Sequence, residues 1–163
     1  MRGGSGGKAF CRKFSPQKMP RKPVIVSACL LGLKTRHDGT DAFSEEAMAA
    51  VGDRTVVPVC PEQLGGLSTP RPRAEISGGD GPSVLEGMAR VVDEHGADVT
   101  EKFLKGAEAV AEIARLTGAG GAILKEKSPS CAVSTVCRGK ETIRGMGVTA
   151  SLLARKKIEL KGF

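Results

Sequence analysis

Three cysteines stand just after apolar runs that end in turn-forming residues. Cys29 follows "VIVSA", Cys60 follows "TVVPV", and Cys131 follows "GGAILK" and the polar stretch "EKSPS". Thiolates are favoured ligands of zinc and of iron–sulfur clusters, so three of them brought together could form a metal centre. Free cysteine is also among the residue types most often buried as a small hydrophobe. Because the three are far apart in the sequence and lack a C-x-x-C spacing, both interpretations stay open at this point.

The number of thiolate ligands would decide the chemistry of such a centre. Four would close a structural site, whereas three leave one coordination position for substrate or water. Cys137 is a candidate fourth ligand, while Cys11 lies in a basic N-terminal segment and is expected to be incidental. His37 and His95 are expected to be solvated loop residues rather than ligands. A total of five cysteines, an odd number, does not favour a disulfide framework.

Polar residues that could act beside a metal flank the same cysteines. Glu62 follows Cys60 in "CPE", where it could be a general base toward water or simply a surface or helix-start carboxylate. Ser128 precedes Cys131 in "SPSC". The other polar candidates near these positions are Arg36, Asp38, Arg71 and Ser130.

The cysteines can meet only if the chain folds into elements that bring them to one place. Apolar, β-branched runs predict strands over Pro23–Ala28 and Thr55–Val59, with a cysteine at the end of each, and a further strand at "GGAILK". The segment "MARVVDEHG" predicts another strand around Ala89–Val92, and a short terminal strand is expected near Ile158–Leu160.

Helices are predicted between these strands. One spans about Phe43–Val51 and stops at Gly52, and "GVTASLLARKKIEL" predicts a helix that leads into the terminal strand. The clearest helix begins at Asp98, which is expected to act as a cap at capping-box spacing from Glu101, and ends at Gly118. Its apolar face is formed by Phe103, Ala107, Val110, Ala111 and Ala114.

The alternation of strands and helices predicts an α/β fold. We expect a three-layer sandwich with a mostly parallel sheet, Rossmann-like and doubly wound, whose strands are joined by right-handed crossovers. In such sheets ligands bind in the crevice beyond the carboxyl ends of the strands. The fold would therefore bring Cys29, Cys60 and Cys131 to one rim.

The charge of the chain is concentrated at its N-terminus. The 163 residues carry a formal net charge of +7, and residues 1–22 hold seven basic residues and no acidic one, so the remainder is formally neutral. We expect residues 1–22 to be a flexible basic tail and residues 23–163 to form a single α/β domain. The tail is interpreted as a solvated extension, as sequence upstream of a true start at Met19 rather than Met1, or as a weak RNA-attracting arm.

Composition also narrows the class of protein. Aromatic residues make up only 3% of the chain, with no Trp and no Tyr, which disfavours binding of single-stranded nucleic acid by aromatic stacking. The tail lacks the apolar run of a secretory signal, and no stretch approaches the length needed to span a membrane. We therefore expect a cytoplasmic protein with no membrane partner.

Six motifs together resemble one protein family. The segments "VSACLLG", "RHDG", "VCPEQLGGLSTPRPRAEI", "GADVTEKFLKGA", "AILKEKSPSC" and "GMGVTASLL" occur in the order typical of the TudS-like thiouracil desulfidase family. The resemblance runs from about Val24 to Leu153, which is nearly the whole body of the chain.

This resemblance implies an enzyme with a 4Fe-4S cluster held by Cys29, Cys60 and Cys131, whose fourth iron stays open. Family members remove sulfur from 2- or 4-thiouracil, and relatives act on 4-thiouridine or thiolated tRNA, giving uracil or uridine and hydrosulfide without net redox change. The functional acid of the family corresponds to Glu62 and its functional serine to Ser128. Residues expected to orient the substrate or to pack the rim are Arg36, Asp38, Arg71 and Ser130.

Two positions depart from the family pattern, and two other functions compete with it. His37 stands where family members commonly have Tyr, and Ala132 stands where they have Gly after the last cluster cysteine. The competing hypotheses are a zinc-stabilised RNA-binding module that uses the basic tail, and a cluster-bearing sulfur carrier or sensor without turnover.

Overall fold

The computed structural model describes residues 21–163, so the expectations for Cys11, Met19 and most of the basic tail lie outside the described residues. The eight strands of this part are β1 (Val24–Ser27), β2 (Val56–Val59), β3 (Ala74–Ser77), β4 (Arg90–Asp93), β5 (Gly121–Leu124), β6 (Thr135–Arg138), β7 (Glu141–Arg144) and β8 (Glu159–Gly162). Its five α-helices are α1 (Glu45–Val51), α2 (Pro61–Leu64), α3 (Gly81–Leu85), α4 (Thr100–Thr117) and α5 (Val148–Arg155).

Four of the strands form the central sheet. Their order is β2-β1-β5-β8, and all neighbours are parallel. The two middle strands, β1 and β5, are buried along their whole length, which explains their continuous apolar sequences "VIVS" and "GAIL". The predicted α/β fold with a parallel sheet is confirmed.

Helices cover both faces of this sheet because side chains alternate along each strand. On one face, Ile25 and Leu124 pack against Val110 of α4 and Leu153 of α5. On the other face, Val24, Val26 and Ile123 pack against Ala47 and Val51 of α1. The layers are therefore helix, sheet and helix, as the alternation of elements predicts.

Two antiparallel hairpins lie outside the central sheet, and the sequence interpretation missed them. Strands β3 and β4 pair antiparallel, as do β6 and β7. The strand predicted around Ala89–Val92 exists as β4, but its assignment to the parallel sheet was wrong. It belongs to the β3–β4 hairpin, where Ile76 and Val91 form a second core with Phe103 of α4 while other residues face solvent. Such one-sided burial is typical of antiparallel pairs.

Helix boundaries differ slightly from the predicted ones. Ser44 caps α1 by accepting a hydrogen bond from Ala47 N at 3.1 Å, so this helix begins at Glu45 rather than at Phe43. The predicted capping box of α4 was wrong, because its N-cap residue is Val99, which makes no side-chain cap.

Asp98 instead accepts a hydrogen bond from Thr100 N at 2.9 Å, in the turn that precedes α4. The Thr100 hydroxyl accepts from Val91 N at 2.8 Å and so ties the start of α4 to β4. The predicted apolar face of α4 is confirmed at the four fully buried positions, Phe103, Ala107, Val110 and Ala114, and Ala111 packs beside it.

Two glycines allow α2 and α4 to approach each other closely. A Cβ atom on Gly65 would overlap the carbonyl oxygen of Lys102, and one on Gly106 would overlap that of Pro61. This contact fixes the short helix that begins directly after Cys60. Between residues 21 and 163, no helix combines the length and the apolar character needed to cross a membrane.

Candidate functional site

One cavity at the carboxyl edge of the central sheet brings the predicted chemistry together. It has a volume of about 490 Å³, and Cys29, Cys60, Cys131, Glu62 and Ser128 all line it. The thiols come from three separate segments: the turn after β1, the N-cap position of α2 and the loop after β5. The crevice lies where parallel α/β sheets ordinarily bind ligands.

The loop that carries Cys131 is held by hydrogen bonds to its own backbone. The hydroxyl of Ser128 accepts from Ser130 N at 3.2 Å and from Cys131 N at 3.1 Å. The first N–H groups of α5 also meet this loop, because Val148 N donates to Pro129 O at 2.9 Å and Thr149 N donates to Ser130 O at 2.9 Å. The helix start and the "SPSC" loop thus satisfy each other's backbone groups.

Gly147, which precedes α5, makes this contact possible. A Cβ atom there would overlap the carbonyl group of Ser130 and crowd Cys131 N. The "GMGVTAS" and "SPSC" motifs therefore depend on each other, although they are separate in the sequence.

The carboxyl end of β1 supplies the other wall of the thiol site. Cys29 lies in a short 3-10 turn, Ala28–Leu31, which ends at Gly32 in the left-handed conformation (φ +86°). Ser27 is buried, and its hydroxyl accepts from Lys125 N at 3.1 Å. Ser27 therefore joins the ends of β1 and β5 beneath the cysteines.

The burial of Cys29 and Cys131 and the charges around them raise the pKa values of both thiols. Burial raises the pKa of Cys131 to about 12, the Ser27 hydrogen bond opposes that rise, and the charges of Cys29, Glu62 and Cys60 add to it. Burial followed by the charge of Cys60 also raises the pKa of Cys29, against the lowering influence of Lys125 and Arg36. The metal-free site therefore favours the neutral thiols of Cys29 and Cys131, and a metal that binds there must displace their protons.

Glu62 is fixed by an arginine that is almost completely buried. Arg71 Nε donates to Glu62 Oε2 at 2.6 Å, and the two side chains are 4% and 14% exposed. Arg71 Nη2 also donates to Thr35 O at 3.1 Å, and Nη1 donates to Ser68 O at 3.3 Å and Thr69 Oγ1 at 3.0 Å. Four of the five N–H donors of the guanidinium are therefore engaged with the protein, and Arg71 is placed to hold Glu62.

The remaining predicted residues divide between the rim and the interior. Arg36 and Asp38 line the rim and form a pair at 3.5 Å, and hydrogen bonds from the side chain and then the backbone of Thr40 lower the pKa of Asp38. Ser130 does not line the cavity, because it is 1% exposed and its hydroxyl lies 2.9 Å from that of Thr149. We therefore leave Ser130 out of the substrate site proposed below.

The two histidines and Cys137 differ in whether they line the cavity. His95 is exposed in the turn after β4, away from the cavity, whereas His37 lines it. Cys137, on β6, lines the same cavity as the other three described cysteines.

Sequence reasoning missed three residues of this site: Ser27, Lys125 and Glu126. All three line the cavity, and each stands within a few residues of a strand end that carries a candidate cysteine. The signal that could have found them is the polar character of "KEK" directly after a buried strand.

The donor set indicates what kind of metal centre the thiols could hold. Among residues 21–163, no group of three His, Cys, Asp or Glu side chains converges closely enough to hold one metal ion. Ligands of a single zinc ion must converge on one point, whereas the thiolates of a four-iron cluster can each bind a different iron. Three cysteines that line a common cavity are the kind of donor set that an iron–sulfur cluster uses.

These features define an α/β protein with a thiol-lined crevice at the carboxyl edge of its sheet. A model of the family described as 2-thiouracil desulfurase matches residues 24–162. The uncharacterized protein YbbK of Bacillus subtilis (strain 168) is 44% identical over 133 residues, which cover 80% of this chain and 88% of YbbK. The chain therefore belongs to the 2-thiouracil desulfurase family, as the motifs indicate.

A solved structure is similar over almost the same length. The 4Fe-4S-dependent thiouracil desulfidase TudS is 38% identical to this chain, with a TM-score of 0.72, and the match covers 87% of this chain and 91% of TudS. At this identity the likeness extends to the fold as a whole, including the strands that position the cysteines.

Proposed function

We propose that this protein is an iron–sulfur-dependent desulfidase that removes sulfur from thiolated pyrimidines. In the overall reaction, the oxygen of water replaces sulfur at the ring carbon and the sulfur leaves as hydrosulfide, so no electrons are exchanged. The observation that carries the proposal is the meeting of three thiols from separate segments in one cavity, beside a carboxylate held by a buried arginine.

In this proposal Cys29, Cys60 and Cys131 hold a 4Fe-4S cluster. When bound, such a group would supply an iron without a protein ligand, which attracts the soft thiocarbonyl sulfur and makes the ring carbon more electrophilic. The three cysteines leave this position open, and Cys137 is not assigned as a ligand.

Glu62 is proposed as the general base. Arg71 holds Oε2 of Glu62, and within the described part of the chain Oε1 makes no hydrogen bond, so it is available to accept one from water in the cavity. A carboxylate fixed in this way can orient a water molecule and take its proton as the water attacks the ring carbon.

Ser128 is proposed as a hydrogen-bond donor to the base. A hydroxyl group has one hydrogen and two acceptor lone pairs, and Ser128 Oγ already accepts two backbone N–H groups. Its own hydrogen is the remaining capacity, which suits donation to a ring nitrogen or relay of a proton to it.

The substrate class is a thiolated pyrimidine: 2-thiouracil, 4-thiouracil or 4-thiouridine. A cavity of about 490 Å³ is within the usual range for small-molecule sites and has room for a single pyrimidine ring. Arg36 and Asp38 are proposed to contact the substrate at the rim. The proposal extends to thiolated tRNA if residues 1–22 attract RNA, and it places the reaction in the reducing cytoplasm, where thiols persist.

Anaerobic purification followed by iron, sulfide and zinc analysis tests the cofactor. We expect about four irons and four sulfides per chain, and hydrosulfide released from 2-thiouracil in step with uracil formation. A colourless protein with one zinc would overturn the proposal in favour of a zinc-stabilised module. A bound cluster with no sulfide release from any thiolated pyrimidine would favour a sulfur carrier or sensor.

Glu62→Gln tests the base. It retains the size of the side chain but removes the proton acceptor, so we expect turnover to fall by about 100-fold or more with the cluster still bound. Glu108→Gln, a change on the exposed face of α4, is the matched control and should leave turnover unchanged. Normal turnover by Glu62→Gln with full iron content would exclude Glu62 as the base.

A further inference from the structure

The loop between β5 and β6 carries both Ser128 and Cys131, and its apolar packing is concentrated at Cys131, Ala132 and Val133. The two ends of the loop are joined by hydrogen bonds, and the carboxylate of Glu126 makes most of them. Oε1 of Glu126 accepts from Val133 N at 3.2 Å and from Ser134 N at 3.1 Å. Oε2 accepts from Thr135 N at 3.0 Å.

The hydroxyl groups of the same segment reinforce this contact. Ser134 Oγ donates to Oε1 at 3.2 Å, and Thr135 Oγ1 donates to Oε2 at 3.0 Å. Both carboxylate oxygens of Glu126 are thus occupied by residues 133–135. Hydrogen bonds to a carboxylate are stronger than those between neutral groups, so this is the firmest connection across the loop.

Backbone hydrogen bonds next to Glu126 also join the two ends of the loop. Glu126 N donates to Phe163 O at 2.6 Å, and Lys127 N donates to Thr135 O at 2.9 Å. Lys127 adopts the left-handed conformation (φ +64°), which a non-glycine residue keeps only when its surroundings enforce it. Gly162 on β8 leaves space for the carboxylate, because a Cβ atom there would overlap Glu126 Oε1.

We propose that Glu126 is a positioning residue for this site: by closing the loop, its carboxylate fixes Cys131 and Ser128 relative to Cys29 and Cys60. The proposal rests on the proposed function, since it concerns the placement of that function's residues. Glu126 acts through the loop, and no role in proton transfer is assigned to it. Misplacement of reacting groups by a fraction of an ångström is enough to slow catalysis strongly.

Glu126→Gln is the direct test, because it keeps the shape of the side chain but turns an NH₂ group toward backbone donors. Glu141→Gln on β7 is the matched control: it makes the same change of charge on an exposed residue whose side chain has no partner among residues 21–163. In metal-free protein we expect the amides of Val133, Ser134 and Thr135 to exchange hydrogen about tenfold faster in Glu126→Gln.

With the cluster bound, the positioning role predicts a further signature. The paramagnetic resonance lines of the reduced cluster should broaden in Glu126→Gln, and kcat should fall about tenfold or more while KM changes by less than about threefold. Glu141→Gln should match the wild type in every measurement. A Glu126→Gln protein with the amide exchange, resonance spectrum and kcat of Glu141→Gln would overturn the proposal, even with the desulfidase function intact.

A second variant covers the case in which Glu126→Gln fails to fold. Gly162→Ala keeps the carboxylate but pushes it out of its place, so the same changes in exchange, spectrum and kcat are expected. Wild-type behaviour of Gly162→Ala would then overturn the positioning role. A wild-type protein that binds no cluster would defeat the proposed function alone, because the amide exchange of the metal-free protein still decides whether Glu126 holds the loop.

Discussion

The ion pair between Arg71 and Glu62 joins a buried guanidinium to a nearly buried carboxylate. Replacing Arg71 by Met leaves Glu62 without its ionic partner, and breaking a buried pair in this way costs about 3–5 kcal/mol. We expect the free energy of unfolding of the metal-free protein to fall by about 3 kcal/mol, as measured by urea denaturation.

Arg115→Met is the control for this change. It removes a pair with Glu112 in which both side chains are more than half exposed, and such pairs contribute little because water screens them. No measurable loss of stability is expected there. If Arg71→Met and Arg115→Met lowered the free energy of unfolding equally, the buried pair of Arg71 and Glu62 would contribute no more than an exposed one.

The buried thiol of Cys131 makes stability depend on pH in the metal-free protein. Its pKa is raised from 9.0 to about 12, chiefly by burial, so an unfolded chain releases this proton first as the pH rises. The stabilisation is therefore present below about pH 9 and is lost as the pH rises toward 12. Between pH 8 and 10 we expect wild type to lose about 1 kcal/mol more stability than Cys131→Ala.

Urea denaturation of both proteins at several pH values measures this difference. Groups distant from the site titrate equally in the two proteins, so the difference between the profiles reports on Cys131 together with its coupling to Cys29, Glu62 and Cys60. Parallel profiles would mean that the thiol is not held in its neutral form by burial.

At the scale of single residues, the sequence predicts which side chains approach the site better than it predicts what they touch. Cys29, Cys60 and Cys131 could be placed because an apolar run shows where its strand ends. The partner of Arg71 and the inward orientation of Ser130 could not, because both depend on side-chain directions within loops that tertiary contacts shape.

Among the elements, the contact of α2 with α4 offers a test in which two physical effects have opposite signs. In an isolated helix, Gly106→Ala would stabilise by about 1 kcal/mol, because glycine is a poor helix former. In this protein the added methyl group would overlap the carbonyl of Pro61. We expect net destabilisation by about 1–3 kcal/mol, as for other overpacked contacts, measured by urea denaturation.

Gly106→Ala should also displace residues of the site, because Cys60 and Glu62 lie at the start of α2. Sulfide release by Gly106→Ala is therefore expected to fall even at temperatures where the variant is folded. Glu108→Ala, two residues further along α4 and on its exposed face, is the control. A stabilised Gly106→Ala protein would show that the two helices can separate without consequence.

The elements that could be predicted are those with a strong repeating pattern. Strands β1 and β5 are continuous apolar runs, and α4 has an apolar stripe of period close to 3.6 over 18 residues. The hairpin strands β3 and β6 are four residues each and mix polar with apolar side chains. Their pairing is set by long-range contacts with the rest of the fold, which no local pattern records.

At the scale of the whole molecule, the site forms only when the complete domain is folded. Its three thiols come from the turn after β1, the N-cap of α2 and the loop after β5, so no part of the chain can present them alone. A group bound by all three binds the folded state and has no equivalent site in the unfolded chain. Binding free energy of such a group therefore adds to the stability of the fold.

We accordingly expect reconstitution with iron and sulfide under anaerobic conditions to raise the melting temperature by roughly 10 °C, since for a chain of this size each kcal/mol shifts it by about 2–4 °C. Cys131→Ser gives the control, because removal of one of three ligands should abolish both cluster binding and the shift. Cys137→Ser should keep the shift and the iron content, since only three thiolates are assigned to the cluster. A shift lost in Cys137→Ser as well would mean that a fourth thiolate closes the site, leaving no iron for a thiocarbonyl sulfur to reach.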